Sequence, residues 1–176
     1  MRVVALVALI VLAPSIALAQ RDRPFLDTLG RGLRFKGRSF DLTKPLVRDS
    51  LRTVVARHRD AWHATGIRDY RLVVQSSCFC PGPVGWMLLD VKDGKVAKAT
   101  SAKGKKLPIG DNDYSIDRLF EYLEMSAGRD DGVEVAFDSA RHFPAYIRTD
   151  FRHGLPDDWW ILDVRSLVVT KAARPR

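Results

Sequence analysis

The chain has little of what catalysis usually draws on. It holds two cysteines and four histidines. It has no His-Glu-x-x-His pair, no Gly-x-Ser-x-Gly elbow and no glycine loop that would cradle a phosphate, so the signatures of zinc hydrolases, serine hydrolases and nucleotide-binding proteins are missing. Beyond residue 19 no apolar run reaches the ~20 residues a membrane-spanning helix needs. Asp90, Asp138, Asp150, Asp157 and Asp158 stand at turns, where aspartates act as caps and solvated charges more often than as an acid–base pair. The composition therefore favours a protein that does not catalyse, and no cofactor or metal is expected.

What is present begins with a leader. Met1-Arg2 precedes the apolar run Val3 to Leu12, Pro14 breaks that run, and Ala17-Leu18-Ala19 supplies small residues before Gln20. This is the pattern of a signal peptide cleaved after Ala19, and it predicts a periplasmic or secreted protein. Cleavage removes Arg2 alone among the charged residues, one positive charge from the formal +8 of the whole chain. Export excludes nucleic acid as the partner for that charge and points to an unknown protein or an anionic envelope component. Residues 20–45 are basic and dotted with glycine, which predicts a mobile or loosely docked arm. Residues 46–170 are long enough for one domain with a core, and 171–176 form a tail.

Within the domain, Val47, Leu51, Val54, Val55, His58 and Trp62 recur at three- and four-residue steps and predict a helix over Leu46–Thr65, with Thr43 or Ser50 as cap and Gly66 as stop. His58 and His63, five apart, point ~140° away from each other and read as boundary residues. Strands are expected at Tyr70–Cys80, Val84–Lys92 and Lys95–Thr100, the last two joined by an Asp93-Gly94 hairpin that sets Val91 opposite Val96 and Lys92 opposite Lys95. Asp111, Asp113, Ser115 and Asp117 alternate as in a calcium loop. Ile116 occupies that loop's glycine position and Tyr122 its glutamate position, so the segment reads instead as a helix start capped by Ser115 and ending at Gly128. Strands Val133–Phe137, Ala145–Phe151 and Trp159–Val169 complete the chain, with Trp160, Leu162, Val164 and Val168 on one face of the last. The fold class is α+β: an antiparallel sheet of about six strands with two helices packed on one face. The order of helix, three strands, helix, three strands suggests a doubled unit.

Two candidate sites follow. Lys92, Lys95, Lys98, Lys103, Lys105 and Lys106 form a basic patch. Cys78 and Cys80 lie at a strand end before Pro81-Gly82-Pro83, and in an oxidising compartment two such thiols are expected to form a disulfide. Residues two apart on a strand have Cα atoms ~6.6 Å apart, near the upper limit for a bridge, so the backbone must bend there. So short a loop gives only about 1.6 kcal/mol in the chain-entropy model. That favours a local bracket over a global staple. Thiol exchange and soft-metal capture, the latter with His142 or His153, remain the alternatives.

Tyr70 ahead of Cys78-Phe-Cys80, the Asp93-Gly94 hairpin, Ser115-Ile-Asp-Arg-Leu-Phe120, Phe137-Asp138 and Phe143-Pro144-Ala-Tyr-Ile147-Arg-Thr-Asp150 together resemble the domain of unknown function 6174 family of exported bacterial proteins, over roughly Val54 to Val168. The chain departs from that family at His142, where a turn glycine is usual, and at Arg118, where an acidic residue is usual. The resemblance implies export and an α+β domain, and it implies no activity.

Overall fold

The structure is a computed structural model that describes residues 37–78, 85–130, 132–150 and 159–171. In chain order the elements are β1 (Arg38–Asp41), α1 (Pro45–Ala64), β2 (Tyr70–Cys78), β3 (Gly85–Lys92), β4 (Lys95–Ser101), β5 (Lys106–Leu107), α2 (Ile116–Arg129), β6 (Gly132–Phe137), β7 (Pro144–Asp150) and β8 (Trp159–Val169). The domain is α+β, and its strands form one antiparallel sheet in the order β1-β6-β7-β8-β2-β3-β4-β5. Eight strands replace the expected six, because short strands were added at both edges. β1 comes from the end of the expected basic arm, where Phe40 and Leu42 are buried. β5 is two residues long and pairs Ala99 and Thr100 of β4 with Leu107 and Lys106. Residues 1–36, which hold the expected leader and most of the arm, lie outside the described residues, as do 172–176 of the tail.

Burial follows the two periodicities. Alternate residues of the central strands, Leu72, Val74, Met87, Leu89, Ile147 and Leu162 among them, join Leu51, Val55 and Trp62 of α1 and Ile116, Leu119, Phe120 and Leu123 of α2 in a single core cluster. The helices lie against each other through Arg59 with Glu124 and His63 with Asp117, the latter pair 3.0 Å apart. Three antiparallel steps separate β6 from β2, so the β6-β7-β8 and β2-β3-β4 meanders follow the same lateral order with opposite strand directions.

The Asp-Gly hairpin has the expected register, Val91 opposite Val96 and Lys92 opposite Lys95. Asp93 (φ 50) and Gly94 (φ 76) both take the left-handed conformation that a type I′ turn demands. Gly66 ends α1 at φ 65 as expected. The helix starts differ from expectation. Lys44 stands at the N-cap of α1 without a side-chain cap bond, and Pro45, which has no N–H to satisfy, opens the first turn, so neither Thr43 nor Ser50 caps it. Ser115 precedes α2 but its side chain makes no cap bond. The Ile116 N–H donates instead to the hydroxyl of Tyr70 at 2.9 Å, from a tyrosine only 1% exposed. α2 then continues through Gly128 to Arg129.

Tyr70→Phe leaves that buried N–H without an acceptor and is expected to lower unfolding free energy by about 1–3 kcal/mol, whereas Ser115→Ala should cost less than about 0.5 kcal/mol. Urea denaturation of the two variants checks this, and equal losses would mean that the phenol is not the cap.

Candidate functional site

The face of the sheet opposite the core is built from the other set of alternate residues. On its β2–β5 side the register sets Arg71, Asp90 and Lys98 in one cross-strand row and Leu88, Thr100 and Lys106 in another. Lys92 and Lys95 flank the hairpin turn, and Lys103 and Lys105 stand in the turn between β4 and β5. All six lysines are exposed, and none is in an ion pair among the described residues. Asp90, the acidic residue opposite Lys98, is taken by Arg71, whose Nε donates to its Oδ1 at 2.7 Å. The structure thus gathers the sequence-predicted lysines along one edge and leaves their charge uncompensated by neighbouring carboxylates.

Toward the middle of this face a further row runs Tyr146, Asp163, Gln75, Trp86 across β7, β8, β2 and β3. Beside it the ladder between β2 and β8 skips a residue. Val73 faces Ser166 and Val74 faces Val164, which makes Arg165 the extra residue of a β-bulge. The bulge also reverses the end of β8: Val168, expected among the buried residues, is 47% exposed, while Leu167 packs on the core. Arg165 Nη2 donates to Asp163 Oδ2 at 3.0 Å, and its guanidinium carbon lies 5.4 Å from the centre of the Trp86 ring. Burial holds the Asp163 carboxyl above its ordinary range, against the lowering effect of Arg165, and burial likewise pushes the Tyr146 phenol up. No sequence signal marks a one-residue bulge, and nothing in the sequence singles out Arg165.

Cys78 lies at one end of the sheet. Cys78 closes β2 opposite Trp160 of β8, is packed against the core, and is not a free thiol. Trp160 donates through Nε1 to Ser76 Oγ at 3.1 Å and is flanked by the rings of Tyr122, 4.5 Å away, and Tyr114. Cys80 and His153 lie outside the described residues. His142 precedes β7, at the opposite end of that strand from its junction with residues 151–158. Among the described residues no three of His, Cys, Asp and Glu gather into a metal-sized group, and no helix is long and apolar enough to cross a membrane.

His142 takes the positive φ of a turn glycine, 66°. The Asp138 carboxylate shapes that turn by accepting from Ala140 and Arg141 N–H. The turn brings His142 to His58 of α1, ring centres 5.4 Å apart, while His58 stacks on Phe137 at 3.9 Å. The sequence reads His58 as a boundary residue of a helix and His142 as a turn residue, and gives no means of bringing them together. Burial, then the charge of Arg57, then that of His142 hold the His58 imidazole below its ordinary value.

The profile of a family of unknown function, DUF6174, matches residues 54–169. No curated protein and no solved structure matches the chain.

The His58 cluster makes stability depend on pH. The unfolded chain takes up the proton at the ordinary 6.5 while the folded chain resists it, so stability is present above 6.5 and is lost as pH falls through that value toward the lowered folded one. Melting temperature should drop between about pH 7.5 and about pH 5.5, and His58→Phe should flatten the drop. An equal drop in both proteins would assign it to another group.

Proposed function

The chain belongs to the DUF6174 family, whose function is unknown, and we propose from its own surface that it is a non-catalytic binding module of the bacterial envelope, exported by its leader, that holds a phosphate-rich anionic component on the lysine edge of its open sheet face. The observation that carries this reading is the set of six exposed lysines, none of them paired among the described residues. Lysine is a compact, hydrated point charge that suits diffuse polyanions better than planar, bidentate recognition. An acidic protein is the competing occupant. The finer arrangement expected of the fold, both helices on one side of the sheet, supports the reading, because it leaves the other side for a partner.

Phosphatidylglycerol vesicles and a soluble polyphosphate distinguish lipid head groups from envelope polymers, with polyglutamate as the acidic-protein control. With each lysine worth about 1 kcal/mol near an anionic surface, changing Lys92, Lys95, Lys98 and Lys106 to glutamine should weaken binding of the phosphate-bearing probe about a hundredfold or more, and added salt should do the same. A wild type that ignores both phosphate probes, or a quadruple variant that binds them unchanged, rejects the reading. Binding of polyglutamate alone assigns the face to an acidic protein.

The alternative, a redox or soft-metal module through Cys78 and Cys80, requires thiolates, whereas Cys78 is not a free thiol. A local bracket fits better. The double change Cys78→Ser, Cys80→Ser is then expected to cost no more than about 1.6 kcal/mol of stability and to leave vesicle binding unchanged. Metal uptake or disulfide-exchange turnover that vanishes in this variant would favour the module instead.

A further inference from the structure

We infer that Arg165 is the short-range phosphate subsite of the open face. Its guanidinium cannot shed its charge and carries five N–H donors. Nη2 is used by Asp163, but Nε and Nη1 are closed off from solvent and have no hydrogen-bond partner among the described residues. Leaving donors of a permanent cation in that state costs more than leaving neutral ones. Two further features point outward. Arg165 is the inserted residue of a β-bulge, a device that re-aims a side chain and recurs beside functional sites. It also stands on the side of the sheet that carries the exposed lysines, in the half-buried setting (17% for its side chain and for that of Asp163) where a charge-assisted bond is not fully screened.

A tetrahedral oxyanion accepts from two donors on one edge of a guanidinium, so one phosphate, sharing Nη2 with Asp163, supplies an acceptor to either Nε or Nη1. Asp163 faces the same guanidinium and offsets part of its charge, so the site takes one phosphate group and the lysine edge supplies the longer-range attraction. Seating the phosphate replaces part of the existing cover of the guanidinium, which includes the Trp86 ring. The subsite deepens the reading of the open face as a phosphate-binding surface, but inorganic phosphate alone tests it.

The experiment is a titration of the mature protein with inorganic phosphate, followed by NMR at the arginine Nε–Hε signals, with Arg165→Lys used to assign the Arg165 signal. Saturable movement of that signal is expected. Arg165→Met, which keeps an apolar stem over the sheet, should weaken phosphate binding about tenfold or more, and Arg165→Lys, which keeps the charge and loses the fork, should weaken it less. A circular-dichroism melt of each variant establishes that it is folded. The lysine-to-glutamine quadruple variant should bind inorganic phosphate within about twofold of wild type while losing vesicles. Loss of vesicle binding in Arg165→Met as well would assign the phosphate to a lipid head group, and retention of it to free phosphate. An unmoved Arg165 signal, or Arg165→Met binding phosphate like wild type, overturns the subsite even where the lysine edge binds vesicles. Vesicle binding that survives loss of the lysines overturns the edge and leaves the subsite to its own result.

Discussion

The hydrogen bond from the Ile116 N–H to the Tyr70 hydroxyl ties the sheet to the second helix. Tyr70 opens β2 and is paired on both sides, with Val91 of β3 and Val169 of β8. Its ring meets Trp62 of the first helix edge-on at 5.6 Å, and Trp62 in turn meets Phe143 at the start of the β6–β7 side of the sheet. One side chain therefore touches both helices and both halves of the sheet. Burial, reinforced by Asp117 and Asp113, pushes the phenol's pKa up, so it stays neutral and accepts the helix bond without placing a charge in the core. A local serine cap would have satisfied the N–H of Asp117 or Arg118 and fixed nothing beyond its own turn.

That choice of cap marks where sequence reading succeeds and where it stops. The Asp93-Gly94 register and the bounds of β8 follow from backbone rules acting over a few residues, and both emerge as expected. The left-handed His142 also follows locally, since a turn of that shape is needed whichever residue occupies it. Ser115 illustrates the failure: a residue of the right type in the right place loses its role to a partner 46 positions away. β1 and β5 were invisible for a related reason. Four and two residues long, they exist only because β6 and β4 offer open edges, and no periodicity develops over so few residues. The joining of β8 to β2, the seam of the whole sheet, is likewise a tertiary fact.

The candidate site was legible in the same uneven way. Lysines on a hairpin can be placed from sequence because the hairpin can. The bulge at Arg165 cannot, yet its consequences reach furthest. One inserted residue exposes Val168, turns Leu167 inward and sets a guanidinium between Asp163 and Trp86. His58 and His142 show the opposite case. One reads as a helix boundary and the other as a turn residue, but the contact between them depends on the turn from Asp138 to Phe143 reaching back to α1.

Dimensions explain why an open face exists at all. Eight strands at about 4.8 Å spacing span roughly 34 Å, while two helices side by side, about 10 Å apart, cover roughly 20 Å. The helices that build the core therefore fall short of the full width of the sheet. Edge strands beyond that cover must resist pairing with other chains, and a short strand bearing lysines does so. The lysine edge is accordingly both a requirement of the architecture and the chemistry that a polyanion would meet. Edge protection explains why lysines stand on β4 and β5, but it does not require a further cation, three strands inward from β4, with donors left unbonded among the described residues. The unbonded donors of Arg165 are the part of this surface that folding alone does not explain.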